Sequence, residues 1–301
     1  MKAITYHYIR DYSEDYPNFN YLSNHDFLNQ LAYFQNSNII RNKDQIYNSG
    51  NSNVILLTFD DGLKDHLNVA EVLSKQKLIG IFFIPTFQLE HSDFLDVHKI
   101  HLLTGKISPK KLLDNLNQYL KKNNINNFYN SNEELFYYES YKDHEDNYLK
   151  KKFKRIMNYY GNINLKTNIL NYFLKKFEIK EKVNDYYLNQ KELKYISDLG
   201  MIIGSHTVNH NLLSRLSYND QLYEIKYSKN YLQNIINKEI EFFCYPYGGK
   251  KSYNQSSLNI LKNLSIKLAF SVDNRDIEKI DIINNKYELP RYDCNKFINL
   301  S

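Results

Sequence analysis

Two short stretches hold most of the side chains that could do chemistry. In "TFDDG", residues 58–62, a run of branched apolar residues from Val54 to Leu57 leads into Asp60 and Asp61. Adjacent carboxylates at the end of a core strand repel each other and lose hydration, which calls for compensation. In "HTVNH", residues 206–210, His206 and His210 follow another short apolar run. A four-residue spacing stacks two imidazoles on one side of a helical turn, within reach of one cation. Two histidines and one carboxylate leave a coordination position open for water or substrate, as a catalytic Zn²⁺ requires. Such an ion would also resolve the carboxylate problem, one aspartate binding it while its neighbour stays ionised as a base. Each stretch alone is a weak signal, since Asp-Asp-Gly is more often a turn and a lone H-x-x-x-H is frequently a structural pair. Both at the ends of apolar strands are a much stronger one.

Positioning these groups needs strands that end together, and the chain supplies an alternation of strand and helix patterns. Strands are expected at 3–9, 54–59, 79–85, 201–206, 240–249 and 267–272, with a final extended segment at 287–294. Helices are expected at 23–37, 66–76, 190–200, 219–236 and 256–265. About seven strands with intervening helices suit a barrel better than an open sheet, and active groups gather beyond the carboxyl ends of such strands. Between 96 and 188 the pattern changes to an Asn-, Lys- and Tyr-rich stretch of helical period, read as a helical insertion.

Composition narrows the class. With 301 residues and 42% hydrophobic content, the chain can bury a sizeable core and is not disordered. No apolar run approaches the roughly 18–20 residues of a membrane span. The N-terminal stretch lacks the pattern of a signal peptide, so a cytoplasmic protein is expected. There Cys244 and Cys294 are expected as free buried thiols. Net charge is +5, and residues 106–182 carry 16 Lys and Arg against 9 Asp and Glu. Solvated helix faces account for that excess; the sharper alternative is a basic surface meeting an anionic glycan or a membrane face. The pattern gives no support for nucleic-acid binding.

"TFDDG", "HTVNH" and "YPYG" (245–248) resemble the three signature motifs of the polysaccharide deacetylases, the NodB-homology domains of carbohydrate esterase family 4. The resemblance spans roughly residues 1–95 and 190–294. It implies an α/β protein with a distorted (β/α)7-type deacetylase barrel, a single catalytic domain over 1–301 with the 96–188 insertion inside it. It further implies a metal-dependent hydrolase that removes an N-acetyl or other acyl group from an amino sugar of a polysaccharide or glycoconjugate precursor. The acceptor would be a glycan or a lipid- or nucleotide-linked sugar, and the cofactor one divalent ion, Zn²⁺ first, with Ni²⁺ or Co²⁺ as alternatives. By motif, Asp60 is the base that activates water, and Asp61, His206 and His210 are the metal ligands. The Tyr247 amide N–H serves the oxyanion, and Pro246 and Tyr247 line the substrate.

Departures from the family pattern matter as much. Cys244 stands where many members carry an arginine that orients the base, the chain has no Trp, and no histidine follows His210. His7, in "ITYHYI", is the expected general acid, as in the branch with rearranged motif order. Arg291, in "LPRYD", is the candidate to orient Asp60, with Asp273 a weaker candidate to support that network. His66 reads as structural or exposed, and His98 and His101 lack a metal-partner pattern. His25, His91 and His144 sit in polar segments. Two other readings remain, a catalytically inactive glycan-binding deacetylase fold and a non-haem iron oxygenase, which shares the two-His, one-carboxylate set. Strand–helix alternation argues against the latter.

Overall fold

The computed structural model describes residues 1–35, 37–48, 53–142 and 146–297, so His144 lies outside the described residues. The chain forms two compact units: the first comprises Met1–Asp11, Tyr21–Asp93 and Lys182–Ser301, the second Tyr12–Asn20 and Phe94–Glu181.

The first unit is built on one curled parallel sheet. Its strands are β1 (Lys2–Tyr6), β2 (Asn38–Ile39), β3 (Val54–Asp60), β4 (Gly80–Ile84), β5 (Ile202–Ser205), β6 (Phe242–Cys244), β7 (Leu268–Phe270) and β8 (Tyr292–Asp293). The order is β7-β6-β5-β4-β3-β1-β8, with β2 pairing beside the start of β3. Every named pair is parallel, as expected when helices alternate with strands. The segment before β8 also bonds to β7: Leu289 N–H donates to Ala269 O at 2.9 Å and Ser271 N–H to Leu289 O at 2.8 Å. The same segment therefore joins the two margins of the sheet, giving the (β/α)7-type deacetylase barrel expected from the sequence.

All seven residues of β3 are buried, which explains why "VILLTFD" shows no polar alternation before its terminal aspartate. Phe59 stacks between Tyr6 and Phe82, with ring centroids 5.3 and 4.7 Å away. Two of the flanking helices start at side-chain caps. Asn189 and Glu192 form a reciprocal capping box at helix 190–198, and Ser217 caps helix 218–236. That long helix ends at Asn237 in the left-handed conformation, a residue type that tolerates it.

The second unit is helical, with segments Asp96–Lys106, Pro109–Lys122, Tyr148–Arg155 and Ile163–Lys176. Its charges are not all solvated. The Asp146 carboxylate is 4% exposed and receives Lys150 at 2.8 Å and Lys154 at 2.7 Å. Lys150 also donates to Asn18 O and Asn20 Oδ1.

Candidate active site

Because the strands are parallel, their carboxyl ends share one edge, and the chemistry-bearing residues fall on it. Asp60 is the last residue of β3 and Asp61 the next. His7 lies just past β1, His206 directly after β5, and Cys244 closes β6. Strand order then brings together groups far apart in sequence.

Asp61 Oδ1 lies 3.5 Å from His206 Nε2 and 3.4 Å from His210 Nε2, and one ligand atom from each of the three falls within 4.8 Å of the others. These separations exceed a good hydrogen bond, but they match the edge of a metal tetrahedron. Bonds of about 2.0–2.2 Å put adjacent ligand atoms about 3.3–3.5 Å apart. The His206 ring is already oriented for this task, since Nδ1–H donates to Cys244 O at 2.7 Å and leaves Nε2 to face Asp61. Burial alone would lower the His206 pKa, but Cys244 and the Asp61 and Asp60 carboxylates raise it instead, so the cluster favours positive charge. The donor set and its spacing thus fit a divalent cation.

Asp60, only 2% exposed, belongs to a second network. Arg291 grips it with two bonds, Nη1 to Oδ1 at 2.8 Å and Nη2 to Oδ2 at 2.7 Å. Thr5 Oγ1 donates to Oδ2 at 3.2 Å. Burial by itself would raise the Asp60 carboxyl, but the Arg291 guanidinium, helped by His206 and His7, holds it well below the usual carboxylate range. Arg291 Nη2 also lies 2.9 Å from Cys244 Sγ. A small thiol at 244 leaves room for a guanidinium that arrives from the segment before β8. Asp273 supports Arg291 only through its backbone, N–H donating to Arg291 O at 3.3 Å, while its carboxylate pairs with Arg275 at 3.4 Å and Lys250 at 3.7 Å.

His7 has a side chain 44% exposed, with Nε2 3.9 Å from Asp60 Oδ2 and 4.0 Å from Asp61 Oδ2. Its position is set from behind by His66, which is fully buried rather than exposed and donates from Nε2 to His7 O at 2.9 Å. Burial lowers the His66 pKa, which keeps that ring neutral in its structural role.

The backbone around these groups is strained. Asp61, Thr207, His210 and Tyr247 have φ of 80°, 68°, 55° and 64°, a region that costs a non-glycine residue on the order of 1 kcal/mol or more. Pro246 and Tyr247 occupy a tight turn closed by Gly248 N–H to Tyr245 O at 3.1 Å. Proline second and a left-handed residue third is the type II pattern. Tyr247 also packs edge-on to His210, with ring centroids 5.0 Å apart.

The helical turn expected at 206–210 is absent. After Thr207 turns left-handed, His210 N–H bonds to Thr207 Oγ1 at 3.1 Å, and the loop carries its two imidazoles at a centroid separation of 4.8 Å. The same four-residue spacing serves a loop as well as a helix, so spacing alone could not distinguish them. Sequence reasoning also passed over Glu224, a buried carboxylate on helix 218–236 that accepts four hydrogen bonds from the loop. Its local context, "QLYEIKY", reads as an ordinary helix face.

Comparison with known proteins covers two of the three motifs, those at 206–210 and 245–248. A family model described as polysaccharide deacetylase matches residues 165–269. No curated protein matches the chain. A Streptococcus pyogenes deacetylase, PplD, in complex with acetate shares 18% identity at a TM-score of 0.57, covering 97% of this chain and 91% of that one. IcaB from Ammonifex degensii shares 13% at 0.57, covering 97% and 90%. A de-N-acetylase from Aggregatibacter actinomycetemcomitans shares 12% at 0.55, covering 97% and 93%. At these identities the likeness is one of fold.

Proposed function

For a chain with the motifs, fold and family signature of the polysaccharide deacetylases, we propose a metal-dependent N-deacetylase acting on an acylated amino sugar. One observation carries the reading: the Asp61–His206–His210 trio lies beside an Asp60 carboxylate that Arg291 keeps ionised. A divalent ion held by the trio, Zn²⁺ before Ni²⁺ or Co²⁺, supplies Lewis acidity that polarises the acyl carbonyl and makes water a competent nucleophile near neutral pH.

The chain's own residues do the rest. Asp60 takes a proton from the water that adds to the acyl carbon, and its depressed pKa keeps it ionised and available across the working range. His7 gives a proton to the sugar nitrogen as the C–N bond breaks, releasing a free amine and a carboxylate. Its half-open position suits contact with solvent and sugar together. The Tyr247 amide, presented by the Pro246 turn, is assigned to the developing oxyanion, a contact worth on the order of 3 kcal/mol. Pro246 fixes φ and so limits the turn's freedom to swing away.

The test joins metal content to turnover. The full chain, purified without chelator, is expected to hold about one divalent ion in the three-ligand site, and Asp61→Ala, His206→Ala and His210→Ala are each expected to lose it on purification or bind it far more weakly. Asp60→Asn should keep the metal while amine release from acetylated amino-sugar oligomers falls about 100- to 10,000-fold. His7→Ala should likewise keep metal and lose turnover. Undiminished turnover in Asp60→Asn would sink the assignment of the base. Glycan binding with no turnover in the wild type, unchanged in Asp60→Asn, would favour an inactive binding module.

A further inference from the structure

Glu224 is 3% exposed on helix 218–236 and gathers the loop that carries two of the three proposed ligands, His206 and His210. Oε2 accepts from Val208 N–H at 2.8 Å and from Asn209 N–H at 2.9 Å. Oε1 accepts from Asn209 Nδ2 at 2.8 Å and Asn211 Nδ2 at 3.2 Å. Four donors on one buried carboxylate are enough to offset much of its desolvation, and charge-assisted bonds of this length are the strong kind. The loop needs such a hold, because Thr207 and His210 both occupy left-handed backbone.

The two histidines are anchored by different means. His206 continues β5: its N–H donates to Ile84 O at 3.2 Å and its ring to Cys244 O at 2.7 Å. His210 comes after the strained turn, and the segment between the two is the one Glu224 holds. We propose that Glu224 is a positioning residue that fixes His210 in ligand geometry through the amides of Val208 and Asn209. The inference rests on the metal-site reading above and adds to it a residue outside the motifs.

Substitutions separate geometry from charge. Glu224→Ala leaves two buried amides without their acceptor. Glu224→Gln keeps an oxygen for those amides, and the Asn209 and Asn211 side-chain amides can turn their oxygens towards the new NH₂ group. Co²⁺ is the probe, titrated into chelator-stripped full-length protein in competition with a chromophoric chelator, with its visible absorption reporting coordination. Glu224→Ala is expected to weaken Co²⁺ binding about 10- to 100-fold and alter the absorption bands, while Glu224→Gln restores most of the affinity. In a His210→Ala background, Glu224→Ala should cost far less additional affinity, because its route to the metal is already gone. If Glu224→Ala does not fold, Glu224→Asp, one methylene short of the loop, carries the test with a smaller expected loss. Wild-type Co²⁺ affinity and spectrum in the folded variant would overturn the positioning role and leave the deacetylase reading standing. Equal losses in wild-type and His210→Ala backgrounds would also overturn it, since a structural defect adds independently. A wild-type chain that takes up no Co²⁺ would overturn both.

Discussion

Arg291 spends all five of its N–H donors inside the protein. Nε binds Ser271 O at 3.2 Å, Nη1 binds Thr58 Oγ1 and Asp60 Oδ1, and Nη2 reaches Asp60 Oδ2 and Cys244 Sγ. At 1% exposure its charge is tolerable only because Asp60 answers it, and the dependence is mutual. Arg291→Met, which keeps an apolar stem but lacks the guanidinium, strands the Asp60 carboxylate. Its urea unfolding should show a loss of about 3–5 kcal/mol. Arg291→Lys should recover only part of this, because an ammonium cannot fork onto both carboxylate oxygens. An unchanged unfolding midpoint in Arg291→Met would mean that Asp60 finds compensation elsewhere.

At the scale of elements, β5 tolerates little change. A Cβ on Gly204 would sit 2.5 Å from the Phe83 ring and 3.1 Å from Phe242 O, so β4, β5 and β6 approach closely only because residue 204 has no side chain. His206 lies two residues further on. Gly204→Ala must therefore shift β5 or Phe83, whose ring also lies 5.6 Å from the Arg291 guanidinium. A stability loss of about 1–3 kcal/mol is expected from overpacking, together with weaker metal retention after dialysis. Full metal retention would show that the ligand loop is insulated from its strand.

At the scale of the whole molecule, every residue of the candidate site belongs to the first unit, while the second carries a buried ion cluster of its own. Burial alone would raise the Asp146 carboxyl, but Lys154 and Lys150 hold it below the ordinary range. A folded pKa below the unfolded value stabilises fully above about pH 4 and fades as pH falls through the carboxylate range. Asp146→Asn should therefore cost about 1–2 kcal/mol near pH 6, solvent screening reducing what a fully buried pair would lose. The gap to wild type should narrow steadily below about pH 4, read from melts of the two proteins side by side. A gap independent of pH would mean that the lysines are held by something other than the carboxylate's charge.

Much of this protein is legible in its residues because the decisive signals are local. Strand–helix alternation, the carboxylate pair after β3 and the paired imidazoles after β5 each lie within a few consecutive residues, where steric and hydration rules act directly. His7 and Arg291 could be nominated from residue type and the gaps they might fill. The helical turn at 206–210 was misread because a four-residue spacing does not report backbone conformation, and Glu224 went unseen because its partners lie in another element. What joins Asp60 to Arg291, 231 positions apart, is strand order, which arises from packing over the first unit as a whole. Local sequence nominated the side chains proposed to bind a metal or move a proton. Tertiary structure decided which charges compensate one another, because a buried charge is stabilised by whatever the fold brings beside it.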